Sequence, residues 1–165
     1  MPLSKAEIER YQRQLLVDGW DQERLKNARV LVVGVGGLGG ISATYFAAAG
    51  VGHLRICDSD RVESSNLNRQ ILFTPEDVGK PKAALVAKRL SAQNPGIEVE
   101  AISDKLTETN AGELASGCDL IVDGLDNHSD RLLLNRASFD LGVPFVYGAI
   151  NGWLGQLSLF SRMLS

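Results

Sequence analysis

The sequence predicts an α/β fold: a doubly wound, mostly parallel sheet with helices on both faces, preceded by N-terminal helices. Three observations predict it. Short apolar runs without alternation, the pattern of strands buried on both faces, recur between longer segments of helical periodicity. One such run feeds directly into "VVGVGGLGG", residues 32–40, with five glycines in nine positions. The chain of 165 residues, 44% hydrophobic and 22% charged, is long enough for one domain with a proper core.

The elements follow in order. "LSKAEIERYQRQLL" reads as an amphipathic helix, with Ser4 as N-cap and Glu7 completing a capping box. Ile8, Tyr11 and Leu15 fall on one stripe of it. "QERLKNA" adds a second short helix, so residues 1–28 form a helical segment ahead of a sheet-containing segment, 29–165. "RVLVVG" is a buried strand, "GLGGISATYFAAAG" a small-residue helix stopped by Gly50, and "HLRICDSD" the second strand. That is β-α-β within about 30 residues, the length a crossover unit needs. "GKPKAALVAKRLSAQNP" is a helix with Pro81 near its first turn and Pro95 beyond its end. "IEVEAIS" alternates like a strand nearer an edge, and "TNAGELASG" is a short helix. "CDLIVDGLDN" is a buried strand with its exit turn, "SDRLLLNRASFDLG" a helix stopped by Gly142, and "VPFVYGAI" and "LGQLSLF" the last strands. With strand order 3-2-1-4-5 the switch point falls between strands 1 and 4. The loops "GVGGLGG" and "GLDN" then flank one crevice, where ligands bind in open α/β sheets.

Composition narrows the partners. The net charge is -3, from 17 basic and 20 acidic residues, without a basic stripe, which argues against nucleic acid. The polar N-terminus has no apolar core of a secretory signal, and no run spans a bilayer, so no membrane is involved and a cytoplasmic location is expected. Cys57 and Cys118 form no C-x-x-C, and His53 and His128 stand in unrelated contexts, so no metal spacing is present.

Gly34, Gly36 and Gly39 match G-x-G-x-x-G between a strand and a helix, the Rossmann-like arrangement. The first glycine permits the tight turn, the second a ligand's approach to the backbone, and the third close packing of helix on strand. Amides at that helix N-terminus attract phosphate. Asp58 and Asp60 follow about 20 residues on, where a carboxylate accepts from ribose hydroxyls. This pattern fits NAD and ATP equally, and the plainer reading is helix packing without a ligand.

Four further features bear on that choice. "SSNLNRQ", 64–70, offers two amides and Arg69, a fork suited to phosphate oxygens, or else a polar surface loop. Lys80 and Lys82 stand at the positive end of a helix, which costs about 0.3–1 kcal/mol each at exposed sites. They are either solvated lysines or cations facing a polyphosphate. Asp126 in "GLDN" leaves the fourth strand where a carboxylate can share Mg²⁺ with phosphates, or where it makes an Asx turn. Asn127 or Ser129 can cap the helix and leave Asp126 free, while Asp123 inside the strand reads as a structural acid. Arg13, two residues past Tyr11, points away from the buried stripe and reads as solvated.

Together "RYQRQLL", "VLVVGVGGLG", "AAAGVGHLRICDSDRVESSNLNRQILFTPEDVGKPKA", "LDN" and "GQLSLF" resemble the ubiquitin-activating-like (ThiF/MoeB/HesA) adenylyltransferases, nearly end to end. Within that family the chain looks like the bacterial sulfur-carrier adenylyltransferases of thiamin and molybdopterin biosynthesis. "DSDRVESSNLNRQ" turns the choice from a dehydrogenase to ATP. The resemblance implies attack of a small ubiquitin-like carrier's C-terminal glycine carboxylate (from a Gly-Gly end) on the α-phosphate of ATP, giving an acyl-adenylate and pyrophosphate. It implies that Gly37 and its neighbours lie against the nucleotide and that Asp58 takes the ribose. Asn66, Arg69 and Lys82 take the phosphates, Asp126 takes Mg²⁺, and Arg13 reaches the triphosphate from the other subunit of a homodimer. No base is required, because a carboxylate is already ionised at pH 7.

The sequence departs from the resemblance after "GQLSLF". Family members carry two zinc-binding C-x-x-C pairs and a reactive cysteine there, and those residues are absent. The expectation is a truncated form or a diverged relative keeping the nucleotide half. Neither cysteine suits thioester chemistry: Cys57 lies beside Asp58 and Asp60, which raise a thiol's pKa, and Cys118 starts the opposite end of a strand. Two other functions stay open: a non-catalytic nucleotide-binding partner subunit, and an NAD(P)-dependent oxidoreductase.

Overall fold

A computed structural model describes residues 2–162. Met1 and residues 163–165, the last three of the predicted 29–165 segment, lie outside the described residues. The chain runs α1 (Lys5–Tyr11), α2 (Gln22–Asn27), β1 (Arg29–Val33), α3 (Gly37–Ala49), β2 (His53–Cys57) and α4 (Lys82–Gln93). It continues β3 (Glu98–Ile102), α5 (Ala111–Ala115), β4 (Leu120–Asp123), α6 (His128–Leu141), β5 (Phe145–Asn151) and β6 (Leu154–Phe160). The sheet order is β3-β2-β1-β4-β5-β6, as expected for its first five strands. All neighbours are parallel except β5 and β6, which pair antiparallel.

Side chains of a strand alternate between faces, and here both faces are covered. Val30 and Val32 of β1 join Leu54 and Ile56 of β2 beneath α3 and α4, with Ala43, Ala47, Val86 and Leu90 packed above them. Leu31 and Val33 point the other way, with Ile121 and Phe145, against Leu114 of α5 and Leu134 of α6. The two edges differ from this centre. β3 is partly exposed, and every residue of β6 is exposed. Gly50 and Gly142 close α3 and α6 in the left-handed conformation, as read from the sequence.

The N-terminal segment departs from its predicted stripe. The Ser4–Glu7 capping box forms, but α1 ends at Tyr11 and a 3-10 turn takes Gln14–Leu16. Tyr11 alone goes inside, against Gly50, its hydroxyl accepting from Asn94 Nδ2 at 2.8 Å. Ile8 stays 49% exposed and Leu15 37%. The tighter turn rotates Leu15 off the helical i+7 position, so the stripe is broken after one contact. An ion pair of Glu7 with Lys26 at 2.8 Å ties α1 to α2.

Candidate nucleotide-binding cleft

The crevice at the switch point is built by three backbones in contact. β1 leaves through Gly34 at φ +81°, a conformation that favours glycine. A Cβ on Gly39 would stand 1.8 Å from the Gly34 carbonyl oxygen, and one on Gly124 would stand 2.2 Å from it. The β1 exit, the start of α3 and the β4 exit are therefore packed main chain to main chain. Gly39 lies under this junction and does not line the cleft; Gly34, Gly36 and Gly37 do. Gly36 and Gly37 open α3 with no side-chain cap, which leaves amides directed at a cleft of about 1120 Å³. Gly124 belongs to this triad, and it lies outside the G-x-G-x-x-G pattern because it follows another strand, β4.

The β2 exit supplies the acids. Asp58 accepts from the Val35 and Asp60 amides, each at 2.8 Å, so its carboxylate is oriented by the glycine loop itself. Burial pushes the Asp58 carboxyl above its ordinary range, against the pull of those amides and of Lys82. Asp60 lies at the cleft with Lys82, whose Nζ is 3.0 Å from Asp60 Oδ2. Lys82 is the first residue of α4 and only 5% exposed. Lys80 precedes the helix, 3.8 Å from Asp77. The two lysines thus separate into a buried cleft cation and an exposed cation outside the cleft lining, set against the buried Asp77.

Arg69 lines the cleft, its guanidinium donating to the Ser65 carbonyl and Asn68 Oδ1 at 3.0 Å each. Asn66 does not line it. Its side chain is turned inward, Oδ1 accepting from the Glu63 amide at 3.1 Å, and it caps the short turn Ser64–Asn66. A polar motif that reads as three ligands folds as a turn that holds the arginine. Arg13 is exposed and outside the cleft lining.

On the opposite wall Asp126 is exposed on the turn after β4 and lines the cleft. Asn127 takes the N-cap of α6, accepting from the Asp130 amide at 2.9 Å, as anticipated. Asp123 is 2% exposed and accepts from the Leu125 amide at 2.9 Å, as a structural acid should. Burial raises its carboxyl too. Sequence reading missed Arg131. Its Nε lies 3.5 Å from Asp123, its guanidinium donates to the Leu125 and Gly148 carbonyls, and it stacks 4.9 Å from the Tyr147 ring. It fastens the Asp126 turn to β5. A cation in the first turn of α6, against the helix dipole, was the available signal.

The donor set fits an adenine nucleotide: glycine amides, Arg69 and Lys82 for phosphates and Asp58 for hydroxyls. The exposed carboxylate of Asp126 suits an Mg²⁺ held mainly by phosphates and water. Among the described residues no group of three or more His, Cys, Asp or Glu could hold a metal by itself. Cys57 is buried and its thiol is pushed up to about 11, by burial first and then by Asp58 and Asp104. The second acid is thus Asp104, not the expected Asp60.

Residues 11–163 match the ThiF family. The chain belongs to the ThiF family. Among curated ThiF-type relatives, a sulfur carrier protein adenylyltransferase of Thermus thermophilus is 49% identical over 97% of this chain and 60% of its own length. A probable adenylyltransferase/sulfurtransferase MoeZ of Mycobacterium tuberculosis is 46% identical over 96% of this chain and 41% of its own. The chain therefore spans about half the length of these relatives. Among solved structures, Escherichia coli tRNA N6-threonylcarbamoyladenosine dehydratase TcdA in complex with ATP superposes with a TM-score of 0.87 at 27% identity, covering 93% of this chain and 65% of that one. MccB of the same organism, with AMPCPP and MccA, gives 0.85 at 26% identity, over 98% and 51%. No helix of the described residues is long and apolar enough to cross a membrane.

Proposed function

We propose that this chain uses ATP and Mg²⁺ to adenylate the C-terminal glycine of a small ubiquitin-like sulfur carrier ending in Gly-Gly, for thiamin or molybdopterin cofactor biosynthesis. The observation that carries this reading is the convergence of Asp58, Arg69, Lys82 and Asp126 on one glycine-floored cleft. The names of the Thermus and Mycobacterium relatives support the same reaction class. The carrier carboxylate attacks the α-phosphorus, and the bond to pyrophosphate breaks. Asp58 fixes the ribose, Arg69 and Lys82 neutralise charge on the phosphates, and Asp126 holds Mg²⁺. Positioning and charge stabilisation do the work. In this reading residues 29–165 form the ATP-binding unit and residues 1–28 an arm, in a cytoplasmic protein.

Calorimetric titration tests the reading. ATP–Mg²⁺ is expected to bind more tightly than NAD, and tighter NAD binding would end it in favour of an oxidoreductase. Asp126→Ala is expected to abolish Mg²⁺-dependent ATP–pyrophosphate exchange. Its exposed turn position predicts a stability change within about 0.5 kcal/mol. Unchanged exchange would reduce Asp126 to a turn residue.

The exposed Arg13, outside its own cleft, fits a homodimer in which it serves the partner's triphosphate. Mixing Arg13→Ala with Lys82→Ala protomers is expected to restore one intact site per mixed dimer, and so part of the activity lost in each parent. No recovery on mixing would remove the trans role.

A further inference from the structure

We infer that Gln70 is a direct contact for the reacting group in this cleft, a neutral hydrogen-bond donor placed where the carboxylate and the α-phosphorus meet. The inference rests on the adenylation reading and deepens it. Gln70 lines the cleft yet is only 6% exposed. Its backbone is fixed at both ends: its amide donates to the Asn66 carbonyl at 2.9 Å, and its carbonyl accepts from the Phe73 amide at 3.1 Å. The side chain therefore cannot be swung out to solvent by the turn that carries it.

Two placements set the direction of the amide. A Cβ on Gly36 would stand 3.4 Å from Gln70 Nε2, and a Cβ on Gly37 would stand 3.9 Å from Arg69 Cγ. Gln70 and Arg69 thus roof two consecutive glycines whose amides open α3. The second placement is Gln70 Oε1, which is buried with no hydrogen-bond partner among the described residues. Leaving a buried carbonyl unpaired costs stability. With Oε1 shut away, the end of the amide beside Gly36 at the cleft wall is the donor Nε2.

The expected ligand oxygens, carboxylate and phosphate, only accept, so the donor end is the one used. Arg69 and the Asp60-paired Lys82 attract a polyphosphate in every state of the reaction. A neutral dipole gains mainly by aim, and so favours the oxygens that gain charge as the new P–O bond forms and the pyrophosphate bond breaks.

The test compares wild type, Gln70→Met and Gln70→Glu by calorimetry with two probes: ATP–Mg²⁺ and glycyl-sulfamoyl-adenosine, a stable mimic of the acyl-adenylate. Gln70→Met is expected to bind ATP within about twofold of wild type and the mimic roughly tenfold more weakly, the scale of a hydrogen bond to a charged group. It is expected to melt no lower than wild type, because the orphaned carbonyl is gone. Gln70→Glu, with an added negative charge, is expected to bind the mimic more weakly still. Equal losses for both probes, or no loss for either, would overturn the role of Gln70. Failure of the wild-type chain to bind ATP would overturn the adenylation reading itself.

Discussion

Gly39→Ala is expected to unfold this protein or nearly so, while Gly37→Ala, two residues away, leaves it folded and deprived of nucleotide. The new methyl at Gly39 would meet the Gly34 carbonyl oxygen at 1.8 Å and its carbon at 3.0 Å. Both are main-chain atoms, so no rotamer relieves the clash. α3 would have to separate from β1 at the centre of the sheet. A loss of about 3 kcal/mol or more is expected, a large part of the stability of a domain this size. At Gly37 the nearest atom to a new methyl is Arg69 Cγ at 3.9 Å, an ordinary contact. Stability holds, but the methyl projects into the cleft where the proposed nucleotide would lie, and ATP binding is expected to fall at least tenfold. Urea denaturation and calorimetry of the two variants check this. A wild-type urea midpoint for Gly39→Ala would show that the junction relaxes.

Lys82→Met is expected to lower pyrophosphate exchange by roughly 10²–10³-fold, the scale for removing one transition-state donor. The methionine keeps the buried stem. Its partner Asp60 is largely exposed, so little folding energy goes with the ion pair. Removing a cation from the start of α4 offsets part of even that. A second signature follows from Asp58. Burial already raises that carboxyl, and Lys82 opposes the rise. Without Lys82 the carboxyl climbs further, so a higher pH is needed to ionise it. The acid limb of ATP binding should therefore move to higher pH. Exchange at the wild-type rate would remove Lys82 from the chemistry.

What the sequence made legible was local. Ser4 and Glu7 specify a cap within four residues, Gly50 and Gly142 stop helices at their own positions, and uninterrupted apolar runs mark central strands. The usual strand order of a doubly wound sheet held for the first five strands, and with it the pairing of the 34–40 and 124–127 loops across one crevice. What stayed hidden depends on partners far along the chain. Asn66 and Arg69 look equivalent in "SSNLNRQ", yet one is spent on the turn and the other faces the cleft, because a turn needs an inward cap. Gly124 reads as a strand-exit glycine until Gly34 and Gly39 are brought against it. Arg131 gains its role only when β5 places Gly148 and Tyr147 beside it. Leu15 fits a periodic stripe that the early end of α1 breaks.

The three-way contact of Gly34, Gly39 and Gly124 separates two kinds of information carried by one fingerprint. At 39 and 124 a side chain is forbidden by neighbouring backbone, whether or not anything binds. At 34 both the conformation and the neighbour forbid it. At 36 and 37 a methyl would meet only the side chains of Gln70 and Arg69, no closer than 3.4 Å. A descendant of this chain that had abandoned nucleotides would therefore stay glycine at 34, 39 and 124 and drift at 36 and 37. The first set records ancestry of the fold, and the second records the history of the ligand.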